Sequence, residues 1–110
     1  MDYPDTAYKV ASAVSSGKVN YGILICKTGI GNCIVANKFK NVRAALCYNL
    51  KAARLSRQHN DANVLVLGAL FVSLTTAKKM ADVWLNTPFE GGRHLRRIKK
   101  IERIERIEKL

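Results

Sequence analysis

Apolar residues along the chain fall into two kinds of segment that alternate. Three short β-leaning runs, Tyr21 to Cys26, Arg43 to Cys47 and Val64 to Leu67, are separated by stretches with helical spacing. Such alternation predicts βαβ units and a parallel sheet. Before the first run, Ala7, Val10, Ala11 and Val14 share one helical face, with Asp5 as the expected cap and Gly17 as the stop. Further helices are predicted over 32–39 and 50–59. A fourth, from about Thr75, spaces Ala77, Met80, Ala81, Trp84 and Leu85 as a stripe one helical face wide.

After the break from Pro88 to Gly92, the end of the chain predicts one long charged helix. Ile98, Ile101, Ile104 and Ile107 recur every three residues, so they drift around the helix and form no coiled-coil seam. Glu102 with Arg106 and Glu105 with Lys109 have the spacing of supporting ion pairs. A half-apolar helix projecting from a small domain is expected to lie on a partner subunit. The fold class expected is α/β, one domain over residues 1–110, with a parallel sheet and flanking helices.

Composition changes this picture little. The chain has 110 residues, 48% hydrophobic and 25% charged, an ordinary globular balance. No apolar run approaches the roughly 18 residues of a membrane span, and no secretory signal opens the chain, so the cytosol is the expected location. Charge matters more. The net charge is +11, and the segment from Arg93 onward holds eight Lys/Arg against three Glu. That balance favours anionic partners, whether phosphorylated metabolites or nucleic acid. The basic residues are not interleaved with aromatics and no nucleic-acid motif occurs, which argues against the second. The three cysteines, at 26, 33 and 47, form no Cys-x-x-Cys pair. Neither a disulfide framework nor a metal site is expected, and Cys33 and Cys47 are read as small buried hydrophobes.

The segment with most chemistry is Gly22-Ile-Leu-Ile-Cys-Lys-Thr-Gly-Ile-Gly31. A buried strand ends at Cys26, and a tight loop with Gly29 and Gly31 leads into a helix, a geometry that suits an oxyanion or a phosphate. A Gly-x-Gly after a strand is as often a purely structural turn. The loop lacks the third glycine of a dinucleotide fingerprint and the Gly-Lys-Ser/Thr of a P-loop.

Together with Ala36-Asn-Lys38, Arg57-Gln-His-Asn-Asp-Ala-Asn63, Leu67-Gly-Ala69 and Phe89-Glu-Gly-Gly-Arg-His94, this segment resembles the ribose-5-phosphate isomerase B proteins and the related galactose-6-phosphate isomerase subunits. The cysteine and the Thr-Gly-Ile-Gly loop match the ribose enzymes. The resemblance implies an aldose–ketose isomerase that uses neither metal nor cofactor and passes through an enediolate. It implies Cys26 as the base, favoured as a thiolate by helix amides and cations. Thr28 would assist proton transfer between the two oxygens, and amides from Gly29 to Cys33, with Gly31 and Asn32 between them, would hold the anion. His59 would open the furanose ring beside Asn60, and Arg93 and Arg97 would clamp the phosphate. The substrate implied is a phosphorylated pentose, and the assembly a homodimer with shared sites.

The family opens with a strand–helix–strand segment and an Asp-His-Ala-Gly-like loop that have no counterpart here. Three strands of a five-stranded sheet are therefore expected, and an order of 2-1-3-4-5 would leave them contiguous in chain order. Lys27 stands where the family usually has glycine, and Leu70 where an arginine commonly binds phosphate. A catalytically impaired half-enzyme is the alternative these departures raise.

Overall fold

The computed structural model describes residues 2–108. The elements in chain order are α1 (Tyr3–Ser15), β1 (Gly22–Cys26), α2 (Ile30–Ala36), β2 (Ala44–Leu46), α3 (Leu50–Gln58), β3 (Val64–Gly68), α4 (Leu74–Asn86) and α5 (Arg93–Glu108). The three strands are parallel, and their order is β1-β3-β2. The α/β class with flanking helices is as the apolar pattern predicts. The strand order is not, because β3 lies between the other two. The physical reason is burial: all five residues of Val64–Gly68 are buried, as a central strand covered on both faces requires. β1 instead leaves Ile25 58% exposed, as an edge strand can.

The alternation of β3 organises two cores. Val64 and Val66 pack with Ala7, Ala11, Val14 and Ala36 from α1 and α2. Leu65 and Leu67 face the other way, against Ala53 of α3 and Ala77, Met80 and Trp84 of α4. Trp84 is fully buried, and its indole N–H donates to Ser56 Oγ at 3.1 Å.

Local details correct several boundaries. α1 begins before Asp5, which lies in its first turn, and Asp2 takes the N-cap position with Pro4 just inside. α2 starts two residues earlier than predicted and ends at Ala36. α4 is capped by Ser73, whose side chain accepts from Thr76 N. Its stripe is narrower than the spacing suggests, since Leu85 is exposed. On α5 only Ile98 of the isoleucine series is buried, while Ile101, Ile104 and Ile107 are exposed. Lys109 lies outside the described residues, and Glu105 accepts from Asn41 N at 2.7 Å, tying α5 to the turn before β2. Among the described residues no helix is long and apolar enough to cross a membrane.

Candidate functional site

The parallel register pairs Gly22 with Val64 at one end of the sheet and Cys26 with Gly68 at the other. Cys26 therefore stands at the carboxyl edge, where loops rather than strands surround it. Gly29 adopts φ 82°, a left-handed conformation that favours glycine, and this turn brings its own N–H back onto Cys26 Sγ at 3.2 Å. Thr28 Oγ1 accepts from Ile30 N at 3.2 Å, and the Thr28 carbonyl accepts from Tyr48 Oη at 3.3 Å. The amides of Gly31 and Asn32 sit in the first turn of α2 and have no carbonyl of the helix behind them.

A cleft of about 530 Å³ opens here, lined by Tyr3, Cys26, Lys27, Thr28, Ile30, Gly31 and Ile34. Cys26, Thr28 and Gly31 thus meet as expected. The Asn32 side chain does not line the cleft: the residue is 2% exposed and its Oδ1 has no hydrogen-bond partner among the described residues, so only its backbone amide could serve the expected anion contact. Asn32 is the third residue of α2, and there its side chain is buried in protein. Tyr3, which sequence reasoning did not assign to the site, forms one wall. Burial pushes the Cys33 and Cys47 thiols up, most strongly through desolvation, so these two cysteines favour the neutral form. Cys33 is only half-buried, against expectation.

His59 and the arginines lie elsewhere. α3 runs back from the carboxyl edge, and His59 is its C-cap residue at the amino edge. The length of β1 separates that edge from Cys26, about 15 Å at ~3.3 Å per residue. The segment Arg57-Gln-His-Asn-Asp-Ala-Asn63 is largely a scaffold. Arg57 is 5% exposed and donates to Thr87 O, Ala62 O and Asp61 Oδ1. Asp61 also pairs with Arg43, and Asn63 bridges the starts of β2 and β3 by accepting from Arg43 N and donating to Asn41 O. At the edge of this scaffold His59 is half-buried and Asn60 exposed. Asn60 lines a separate cavity with Arg43, Ile101 and Glu105. Arg93 and Arg97 are exposed, one turn apart on the same face of α5.

The fold also makes a cluster invisible in the linear spacing. His59, Glu90 and His94 bring one ligand-type atom each within 4.8 Å of one another. The expectation that no such cluster exists is corrected, because Gly91 and Gly92 turn the chain so that Glu90 and His94 converge on the end of α3. The two imidazoles, however, are stacked, with centroids 4.2 Å apart and planes 12° from parallel. A metal ion lies near the plane of each imidazole that binds it, and near-parallel stacked rings share no such point. Burial pushes the His94 pKa down, helped by the His59 and Arg93 charges, with Glu90 opposing.

Residues 1–101 match the family model described as Ribose/Galactose Isomerase. The chain belongs to the ribose/galactose isomerase family. Within that family, a ribose-5-phosphate isomerase B of Escherichia coli (strain K12) is 53% identical over 97 residues, covering 88% of this chain and 65% of that protein. A D-erythrulose-4-phosphate isomerase of Pectobacterium atrosepticum is 48% identical over 90 residues, covering 82% of this chain and 59% of that protein. A crystal structure of a Mycoplasma genitalium ribose-5-phosphate isomerase B with bound ribulose-5-phosphate superposes with a TM-score of 0.92 at 50% identity. That likeness covers 96% of this chain and 70% of the other. The three-stranded parallel sheet and its helices are thus the ribose/galactose isomerase fold over the part matched. The chain spans less than two thirds of the length of the E. coli relative.

Proposed function

We propose that the chain interconverts ribose 5-phosphate and ribulose 5-phosphate through an enediolate, with Cys26 as the base. The observation that carries this reading is the cysteine itself: a family member presents a thiol at the end of β1, in a cleft, hydrogen-bonded by a loop amide. In the forward direction the Cys26 thiolate takes the proton from C2 and returns it to C1. The O2 hydroxyl proton passes to O1, with the Thr28 hydroxyl alongside as relay. Loop amides hold the negative charge that develops on the oxygens. His59 opens the furanose ring beforehand, and Arg93 and Arg97 hold the phosphate.

Cys26 and the His59–Arg93–Arg97 group occupy opposite edges of one chain, so a single subunit cannot close around a five-carbon sugar. We infer a homodimer in which each cysteine cleft is completed by the partner's amino edge. The exposed Ile101, Ile104 and Ile107 of α5 support this, since the described residues leave about half or more of each uncovered. Turnover of ribose 5-phosphate by the wild-type chain and by Cys26→Ala tests the proposal: loss in the variant supports it, and equal turnover in both refutes it.

A further inference from the structure

The surroundings of His59 are more constructed than a solvent-facing helix cap requires. Glu90 is anchored by its own N–H, which donates to the Gln58 carbonyl at 3.1 Å. Gly91 and Gly92, at φ 74° and 57°, then reverse the chain, and His94 N–H closes the turn on Gly91 O at 3.0 Å. The result is a sandwich. The His94 ring is 8% exposed and lies flat on His59, while Glu90 Oε1 stands 3.9 Å from His59 Nε2 and 3.5 Å from His94 Nε2. These distances exceed a good hydrogen bond, but they place the carboxylate at the Nε2 edge of both rings, away from Nδ1.

We propose that His94 and Glu90 are positioning residues for His59: the His94 ring fixes the plane of the His59 imidazole, and Glu90 holds it as the Nε2–H tautomer with Nδ1 free to accept. Ring opening needs this arrangement. His59 must take the proton of the anomeric hydroxyl at Nδ1 and pass it to O4 as the C1–O4 bond breaks, so a ring spinning among rotamers and tautomers is seldom aligned. The charged and titratable groups facing the pair are Glu90 and, from the first turns of α5, Arg93 and Arg97. The depressed basicity of His94 keeps it an uncharged platform that does not repel a protonated His59. The inference rests on the ring-opening role assigned to His59 above.

Two measurements separate its failure from failure of that role. The first reads the pinning without turnover: ¹⁵N spectra of the imidazoles above their titration range, for the full chain and for Glu90→Gln and His94→Phe. The expected result is a single His59 Nε2–H tautomer in the wild type and averaged tautomers in Glu90→Gln. Averaging already present in the wild type overturns the proposal. The second compares ribose 5-phosphate with a four-carbon aldose 4-phosphate, which has no free O4 and cannot form a furanose. Both variants should lose about tenfold or more in kcat on ribose 5-phosphate with KM little moved, and lose far less on the ring-free substrate. His94→Phe, which keeps a flat ring, should be the milder of the two. Equal loss on both substrates would mark His94 and Glu90 as structural supports only and overturn the positioning role. If the pinned tautomer is seen but ribose 5-phosphate is not turned over, the failure lies with the assigned reaction and not with the sandwich.

Discussion

Replacing Gly68 by alanine links the fold to the cleft more directly than any other single change. Gly68 ends β3 as the register partner of Cys26. A Cβ built there would stand 2.3 Å from the Thr28 carbonyl oxygen and 2.7 Å from its carbon. Such atoms rest at roughly 3.3 Å or more, so the Thr28 backbone would have to retreat by about 1 Å. It is not free to do so, because Ala69 N donates to Cys26 O at 2.7 Å, Leu70 N to Lys27 O at 2.9 Å and Tyr48 Oη to Thr28 O at 3.3 Å. Overpacking of this kind costs about 1–3 kcal/mol, and for a chain of this size that lowers Tm by roughly 5–15 °C. A shift near 1 Å in the loop proposed to hold the substrate should also reduce kcat/KM by about 100-fold. Thermal unfolding followed by circular dichroism and a ribulose 5-phosphate formation assay read the two effects. Gly17→Ala is the control: its φ of 79° carries backbone strain, but nothing lies within 4 Å of the new Cβ, so turnover should be unchanged. A Gly68→Ala protein that melts with the wild type and keeps its turnover would refute the close approach on which the cleft geometry depends.

Other consequences are as direct. With an alkylating reagent at neutral pH, Cys26 should react before Cys33 and Cys47, whose thiols burial holds protonated, and ribose 5-phosphate should slow it; mass mapping that finds Cys47 first would contradict this. Because burial lowers the His94 pKa below its ordinary 6.5, the unfolded chain takes up a proton that the folded chain resists. The stability this group contributes is fully present above about 6.5 and is lost as pH falls toward the folded value, so denaturant midpoints should drop on acidification less steeply in His94→Phe. Mixing Cys26→Ala with His59→Gln chains should restore up to about a quarter of wild-type turnover, since mixed dimers keep one complete shared site; mixtures as inactive as their components would contradict the shared site.

The sequence was legible where one segment answers to one physical demand. The helical stripe through Ala77, Met80 and Trp84 and the strands ending at Cys26 and near Leu67 were of this kind, since burial of an apolar face sets them locally. The position of β3 between β1 and β2 was signalled by its unbroken apolar run, Val64-Leu-Val-Leu67, a stronger guide to a central strand than chain order. The site divided in the same way. Cys26, Thr28 and Gly31 share one loop, and the structure brings them to one cleft. Tyr3 joins that cleft only because α1 packs on α2, and Glu90 and His94 reach His59 only through the turn at Gly91 and Gly92, contacts with no local pattern. The string from Arg57 to Asn63 resembled a catalytic motif throughout, yet Arg57, Asp61 and Asn63 are spent on holding the loop. Residue identity alone does not separate the scaffold from the side chains it presents.

The central claim is that Cys26 moves a proton between C2 and C1 of a pentose phosphate. Incubating the chain with ribose 5-phosphate in deuterium oxide and following the sugar by proton NMR tests it most directly. A thiol that exchanges its proton with solvent between the two transfers labels the carbons, so deuterium should appear at C1 of ribulose 5-phosphate and at C2 of recovered ribose 5-phosphate. Both isomerisation and label should vanish in Cys26→Ala. Label or isomerisation persisting in that variant at the wild-type rate would contradict the account.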